Sequence, residues 1–329
     1  MLSIIIPVHN ASVYLEKALG ALESFDRKNT EIIVIDDAST DESSKIAARY
    51  NVKLFRLTEN KGPGFARNTG ARAAEGDILF FCDADIVLPE NTLEIIEGIF
   101  KRNPDTCVFS GIYAIDRAEK NIFSKYRNLK ERHEELSRPT VASACRSAIL
   151  VVKKKLFNAV GGFDEKWSNI HCEDTIFCSQ LAKNKVKIFI NPEFEAYHIK
   201  KYSVASFLKQ AFERSIAAFY TMRKLGNQFM KQYYKKDSYL NLILEISMPA
   251  FTIFSCFIFF YSKLYSYLVL GILFLFAFIY TQKDFYLYAH RIFGKKFVFS
   301  CFLLRFAELI ASEVGLASVF LRMHRKSNR

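Results

Sequence analysis

Two aspartates that follow an apolar run are the residues of this sequence best suited to hold a metal ion. Asp83 and Asp85 flank Ala84 and come directly after the apolar residues 78–81 and Cys82. An uninterrupted apolar run predicts an internal strand of a parallel sheet, because a half-exposed strand would alternate. Ligands bind at the carboxyl ends of such strands. The pair can therefore bind one hard cation, which itself clamps phosphate oxygens. A surface turn is the plain alternative.

The elements before this pair alternate between strand and helix. The pattern predicts strands within residues 3–8, 31–40, 52–57 and 77–87, and helices over 12–24, 41–50 and 65–74. Such an order indicates an α/β fold with an open, mostly parallel sheet. Polar residues at the strand ends then converge on one rim, which is the predicted nucleotide site: His9, Asn10, Asp36, Asp37, Asp83 and Asp85.

A dinucleotide-binding fold is the competing interpretation of this region. Gly62 and Gly64 precede a helix, as in the motif GxGxxG. The third glycine is replaced by Arg67, however, and the loop follows the third strand rather than the first. The motif therefore matches poorly.

Residues 86–200 continue the soluble part of the chain. The sequence predicts a helix over 91–102, a strand over 141–152 and a strand over 186–190. The charged stretch 120–138 is typical of a solvated helix face. Glu173 and Asp174 open a further helix, where acidic residues are favoured by the helix dipole alone.

Several ordered motifs resemble those of the family 2 glycosyltransferases with the GT-A fold. They lie within residues 3–200 and read PVHN (7–10), VIDDASTDES (34–43), NKGPGFARNTGARAAEGDILFFCDAD (60–85), GGFDE (161–165) and CED (172–174). The resemblance implies a nucleotide-sugar donor, a UDP- or GDP-sugar, and transfer that usually inverts the anomeric carbon. It also implies Mg²⁺ or Mn²⁺ at the two aspartates.

The resemblance assigns roles in donor binding to individual residues. Asp36 would accept a hydrogen bond from the base, whereas Asp37 could cap the following turn instead. Arg67 would face the diphosphate, with a surface salt bridge as the alternative. Asp83 would hold the ribose or the donor sugar. The full set matched to the donor is Pro7, His9, Asn10, Asp36, Asp37, Lys61, Arg67, Asp83 and Ala84.

The resemblance also assigns the metal ligands and the catalytic base. Asp85 would bind the metal together with Asp83 and His198, although a lone histidine is as often a packed residue. Asp174 would be the general base toward the acceptor hydroxyl, and Glu173 would orient it. The remaining candidates, Gly162 and Trp167, would contact the acceptor; plain packing is the alternative for the tryptophan.

Composition and cysteine usage limit the partners and the compartment. The net charge of +12 could favour nucleic acid, but next to apolar segments it favours anionic lipid, so we predict no nucleic-acid partner. The seven cysteines lack paired short spacings, which argues against disulfides and a zinc site. The chain opens on a predicted strand, so we expect no signal peptide.

The C-terminal third has the composition of a membrane domain. We predict a catalytic domain over 1–202, a basic amphipathic interfacial helix over 203–240 and a membrane domain over 241–329. Spans are expected at about 242–261 and 264–281, with both chain ends cytoplasmic. The stretch 297–321 is either interfacial or a third span, because it carries Arg305, Glu308 and Glu313.

These observations predict a metal-dependent glycosyltransferase of the cell membrane with its catalytic domain in the cytoplasm. It would move one sugar at a time to a lipid-linked acceptor among the membrane lipids. Transfer to a polyisoprenyl phosphate is the alternative, and a catalytically inactive membrane scaffold is the alternative of another class. No QxxRW sequence follows the acidic pair, which disfavours a processive polymer synthase.

Overall fold

The computed structural model describes residues 1–115, 121–137, 141–142, 146–166, 172–226 and 238–327, without side chains at 141–142, 238–246 and 325–327. The chain forms two compact units. The first comprises Met1–Lys120 and Arg127–Lys201, and the second comprises Asn121–Tyr126 and Tyr202–Arg329.

The first unit is built on a mixed sheet. Over the described ranges its nine strands are β1 (Leu2–Val8), β2 (Thr30–Asp36), β3 (Lys53–Arg56), β4 (Ile78–Cys82), β5 (Ile86–Val87), β6 (Val108–Tyr113), β7 (Val141–Ala142), β8 (Ile149–Lys153) and β9 (Ile188–His198). Their order is β3-β2-β1-β4-β8-β6-β9-β5, with β7 paired to β9.

The predicted mostly parallel sheet needs a correction. The first four strands are parallel neighbours, as the alternating pattern predicted. Strand β8 runs antiparallel to both β4 and β6, and β5 and β7 run antiparallel to β9. The predicted single strand over 141–152 is also wrong, because β7 and β8 are separate strands. Strand β7 pairs with β9, and β8 pairs with β4 and β6. Strand β9 extends eight residues beyond the predicted end at residue 190.

Helices cover this sheet and hold its central strands in the core. They are α1 (Ser12–Ala21), α2 (Ser43–Ala47), α3 (Pro63–Ala73), α4 (Thr92–Arg102), α5 (Ile122–Leu136), α6 (Lys154–Ala159) and α7 (Glu173–Lys183). Strands β1 and β4 are buried on both faces: Ile4 and Phe80 belong to one hydrophobic cluster, and Ile5 and Phe81 to the other. Helix α3 packs closely because Gly70 lacks a side chain; an added Cβ would lie 2.3 Å from Ile5.

The prediction of a solvated helix at residues 120–138 is wrong. Along α5, the side chains of Arg127, Asn128, Glu131 and Glu135 are all at most 3% exposed. Arg127 Nε lies 2.7 Å from Glu131 Oε1, and Arg146 Nε lies 3.0 Å from Glu135 Oε1. Oppositely charged side chains thus pair with one another inside the protein, and the charge pattern along one helix does not reveal this pairing.

The second unit is helical. It contains α8 (Val204–Leu225), α9 (Ser238–Ser262), α10 (Tyr265–Thr281), α11 (Lys283–Phe293) and α12 (Lys295–Ser327). Helices α8 and α12 approach closely at Gly315, where an added Cβ would lie 2.2 Å from Ser215 Oγ. Two charged residues of α12 are largely packed inside the unit: the side chains of Arg305 and Glu308 are 11% and 6% exposed, and Arg305 Nη1 donates to Glu308 Oε2 at 2.7 Å.

Helices α9 and α10 are rich in apolar residues. Over the residues with described side chains, no single helix is both long and apolar enough to cross a membrane. Helices α10 and α11 meet that criterion only as a pair, and they are bent by 63° at the break between them.

Candidate active site

A cleft of about 590 Å³ opens at the carboxyl ends of β1, β2 and β4, within the first unit. Nine of the predicted site residues line it: Pro7, His9, Asn10, Asp37, Arg67, Asp83, Ala84, Asp85 and Glu173. Its wall also includes Tyr14, Asn60 and Lys200, which the sequence did not single out, and Gly62, which the sequence singled out only in the poorly matching dinucleotide motif. The predicted convergence of strand ends on one rim is therefore what the fold produces.

Asp37 organises the loop at one end of the cleft. Its Oδ1 accepts the backbone N–H of Lys61, and its Oδ2 accepts that of Gly62, each at 2.7 Å. Gly62 has φ +86°, a left-handed conformation that glycine adopts without strain, and α3 starts at the next residue. The loop therefore presents the N-terminus of α3 to the cleft, where a phosphate group would be favoured.

The neighbouring Asp36 has a different role from the one predicted. It is fully buried, its Oδ1 accepts the backbone N–H of Ser39 at 2.9 Å, and Arg56 Nε lies 3.5 Å from its Oδ2. Asp36 thus closes the turn after β2, whereas Asp37 lines the cleft. The sequence motif contains two adjacent carboxylates, and only their opposite directions from the strand decide which one faces the cleft.

The first strand end supplies the other polar atoms here. His9 Nδ1 donates to the carbonyl oxygen of Asp37 at 2.8 Å, and Asn10 Oδ1 accepts the backbone N–H of Thr40 at 2.9 Å. Asn10 has φ +51°, a conformation that asparagine tolerates better than most residues. These bonds fix the wall on which a base and ribose would lie.

Arg67 connects the two acidic parts of the site. The side chain is 3% exposed; its Nη2 donates to Asp83 Oδ1 at 2.8 Å and its Nη1 donates to Glu173 Oε1 at 3.0 Å. Burial disfavours the charge, but Asp83 and Glu173 hold the pKa of Arg67 above its ordinary value. The guanidinium therefore ties the loop after β4 to the start of α7, in addition to lining the cleft.

The far side of the cleft holds a carboxylate that lies next to a histidine and a lysine. Asp85 Oδ2 lies 3.8 Å from His198 Nε2 and 3.4 Å from Lys200 Nζ. Burial would raise the pKa of Asp85, but His198 and Lys200 lower it below its ordinary value. Backbone pairing of β5 with β9 sets this geometry, because Ile86 is the register partner of His198 and the N–H of Ile199 donates to the Asp85 carbonyl.

His198 is held from behind by α5. Its Nδ1 and Asn128 Oδ1 are 2.6 Å apart, and Asn128 Nδ2 donates to the His198 carbonyl at 2.9 Å. Because the amide nitrogen is used as a donor, we assign the Nδ1 proton to the bond with Oδ1, which leaves Nε2 as the atom that faces Asp85. The ring also stacks on Tyr113, with centroids 4.7 Å apart.

The donor set fits a divalent cation in part. Asp85 and His198 present one oxygen and one nitrogen toward the same space, ligands that Mn²⁺ accepts and Mg²⁺ accepts less readily. Over the described residues there is no group of three His, Cys, Asp or Glu side chains that could hold a metal. Asp83, predicted as a further ligand, accepts a hydrogen bond from Arg67 through Oδ1. A cation here would need ligands in addition to Asp85 and His198.

Asp174 lies at the opposite, acidic part of the site. Its Oδ2 accepts the backbone N–H of Ser147 at 3.2 Å, and no group among the described residues donates to its buried Oδ1. Burial raises the pKa of Asp174 to about 6, Glu173 acts in the same direction, and Arg67 opposes them. A carboxylate with this pKa is a stronger base than an exposed one and is still ionised at neutral pH.

Lys61 and Gly162, two further predicted residues, do not line the cleft. Lys61 pairs with Glu59 at 2.6 Å, and its side chain is 44% exposed. Gly162 has φ +66°, and an added Cβ would lie 2.7 Å from Asn68 Oδ1, so its place is explained by packing of the turn on α3. Trp167 lies outside the described residues.

The chain is similar to known glycosyltransferases in sequence and in fold. Residues 3–161 match the model of the family described as glycosyl transferase family 2. A mannosyltransferase, PcManGT from Pyrobaculum calidifontis, solved in complex with GDP-Man and Mn²⁺, is similar with a TM-score of 0.57. The alignment covers 95% of this chain and 86% of that one at 16% identity, which shows a shared GT-A-like fold.

Two curated relatives add to this classification. An uncharacterized glycosyltransferase of Rickettsia prowazekii is 32% identical over 183 residues, or 54% of this chain and 58% of that protein. The poly(ribitol-phosphate) beta-N-acetylglucosaminyltransferase TarS of Staphylococcus aureus is 34% identical over 99 residues, or 28% of this chain and 17% of TarS. The chain thus spans little more than half the length of the first of these relatives, and much less of the second.

Proposed function

We propose that this protein transfers one sugar at a time from a nucleotide-sugar donor to an acceptor, in a reaction that requires a divalent metal and inverts the anomeric carbon. One observation carries the proposal. A pair suited to a cation, Asp85 and His198, is joined to a carboxylate with a pKa of about 6, Asp174, through Arg67, which bonds both Asp83 and Glu173. Inverting transfer needs both, on opposite faces of the sugar.

The cleft and the neighbouring carboxylate of Asp174 would have different tasks. Mg²⁺ or Mn²⁺, when bound, would offset the charge that develops on the departing nucleoside diphosphate. Asp85 and His198 would hold it, and the N-terminus of α3 would face the phosphates. Asp174 would take the proton of the acceptor hydroxyl as the bond from that oxygen to the anomeric carbon forms and the bond from that carbon to the phosphate oxygen breaks.

Donor turnover tests this function directly. Purified full-length protein is incubated with a panel of UDP- and GDP-sugars, with Mn²⁺, with Mg²⁺ or with EDTA, and nucleoside diphosphate release is measured. We expect release with one donor class, lost with EDTA and restored by excess Mn²⁺. Absence of metal-dependent release with every donor would refute the proposal and favour a scaffold without catalysis.

We also propose that the second unit attaches the enzyme to a membrane and that the acceptor is lipid-linked. Large apolar side chains are exposed along α9: Phe254, Phe257, Phe260 and Tyr261 are 61–89% exposed. Such a surface is rarely left open to water and supports contact with lipid. The name of TarS gives a phosphate-bearing polymer as the acceptor of that relative.

Vesicle binding tests the attachment. Full-length protein should float with vesicles of anionic phospholipid, and Phe257→Glu should weaken this binding because it places a charge on the exposed apolar face. Phe55→Glu is the matched control, since Phe55 is a 41% exposed phenylalanine of the first unit. Equal loss in both variants, or no flotation of the parent protein, would contradict the proposal.

A further inference from the structure

Lys200 is a cationic residue of the cleft that the proposed reaction has not yet used. It lines the cleft, and its Nζ is 3.4 Å from Asp85 Oδ2. The same oxygen is 3.8 Å from His198 Nε2. The ammonium group therefore approaches the very oxygen that a divalent cation would need.

The backbone fixes where Lys200 starts, and its side chain remains able to move. The N–H of Ile199 donates to the Asp85 carbonyl at 2.9 Å, so the segment that carries His198 and Lys200 is attached to the loop after β4. The two side chains differ in burial: that of His198 is 6% exposed and that of Lys200 is 41% exposed. A lysine has a flexible four-carbon stem and a compact charge, so it can change partner at little cost.

An ammonium group and a divalent cation would compete for this carboxylate oxygen, because like charges on one oxygen repel strongly in a partly buried site. With a cation held by Asp85 and His198, Lys200 would leave Asp85 Oδ2. The cleft also holds the N-terminus of α3, at Gly62 and Pro63, where we expect the diphosphate. The displaced ammonium thus has an anionic partner within the same cleft.

We propose that Lys200 is an exchangeable counter-ion: it neutralises Asp85 in the metal-free enzyme and moves to a phosphate oxygen of the donor when the metal binds. This rests on the proposed function. Its consequence is that one residue opposes metal binding before the donor arrives and stabilises the departing nucleoside diphosphate afterwards. A residue with a merely structural role would not have two effects of opposite sign.

The test measures both effects in Lys200→Met. Without donor, Mn²⁺ affinity, followed by electron paramagnetic resonance of the free ion, should rise about three- to tenfold, because the competing charge is gone. With saturating Mn²⁺ and the active donor, kcat should fall about ten- to one-hundredfold, because charge stabilisation of the leaving group is lost. Lys200→Arg should keep most of the turnover.

Lys201→Met is the matched control, because it removes the same charge from the exposed neighbouring residue, and it should leave both quantities unchanged. Unchanged or weaker Mn²⁺ binding in Lys200→Met would overturn the exchange, as would equal gains in both variants. The proposed function fails in a different way. If the parent binds Mn²⁺ no better than Asp85→Ala does, the metal site itself is absent, and the exchange is refuted with it.

Discussion

Asp85 and Asp174 are carboxylates of the same unit whose pKa values are shifted in opposite directions. Asp85 is faced by His198 and Lys200, and its pKa is below the ordinary value. Asp174 is half-buried next to Glu173, and its pKa is raised to about 6. Arg67 lies between the two parts, bonded to Asp83 on one side and to Glu173 on the other. The comparison shows how one fold separates a permanent anion, suited to a cation, from a base that exchanges protons near neutral pH.

The largest expected effect is at the permanent anion. Asp85→Ala should reduce turnover below detection, because the residue is the principal carboxylate available to the metal. The fold should persist, as judged by circular dichroism, since the Lys200 side chain is 41% exposed and water can solvate its charge once Asp85 is gone. Turnover is measured with the active donor and Mn²⁺. Turnover of Asp85→Ala at the parent's rate would contradict the assignment of Asp85 to the metal. Turnover of the parent protein that EDTA does not reduce would contradict it as well.

The next effect is at the base. Asp174→Asn should lower the transfer rate by about 10²–10⁴, because an amide cannot take a proton. Affinity for the donor should change by less than about threefold, since Asp174 does not line the cleft. Asp77→Asn is the control, because the Asp77 side chain is 95% exposed. Survival of transfer to a phosphate acceptor alone would favour the polyisoprenyl phosphate alternative.

A third change weakens the connection that Arg67 makes between Asp83 and Glu173. Arg67→Lys keeps the charge but cannot bond Asp83 and Glu173 with the same planar fork. Loss of one bond between charged, buried groups should lower the free energy of unfolding by about 2 kcal/mol. Urea denaturation measures this. The same change at Arg72, whose side chain is 60% exposed and pairs with Glu165, should have little effect. Equal effects would show that Arg67 does not connect the two parts.

The smallest effect is a shift in the pH profile. The base must be ionised, so kcat/KM should fall about tenfold per pH unit below about 6, the pKa of Asp174, and level off above it. Because the charge of Glu173 raises that pKa, Glu173→Gln should move the profile toward lower pH. A profile that is flat from pH 5 to 7, or one that shifts upward in the variant, would contradict the assignment of the base.

The sequence predicted the parts of the site that strand ends determine. Alternating strands and helices place His9, Asp37 and Asp85 at one sheet edge, and the structure confirms this convergence. The sequence could not decide between Asp36 and Asp37, because either can follow a strand. It also missed Lys200, since nothing in a row of basic residues indicates which one reaches across to Asp85.

Long-range pairing accounts for the other errors. The charges of α5 read as a solvated face because Arg127 and Glu131 are four residues apart on one helix, as in many exposed pairs. Their burial depends on Arg146, which approaches from another segment and lies 3.4 Å from Glu131. Asn128 was overlooked for the same reason, because its partner His198 is 70 positions away.

Binding of a nucleoside diphosphate tests most directly whether Asp85 is needed for metal-dependent nucleotide binding and Asp174 is not. Calorimetric titration of UDP and GDP into the parent protein, Asp85→Ala and Asp174→Asn, each with Mn²⁺ and with EDTA, requires no acceptor. We predict Mn²⁺-dependent binding of one nucleotide by the parent and by Asp174→Asn, and no such dependence in Asp85→Ala. Equal Mn²⁺-dependent binding by all three proteins, or its loss in Asp174→Asn alone, would contradict the account.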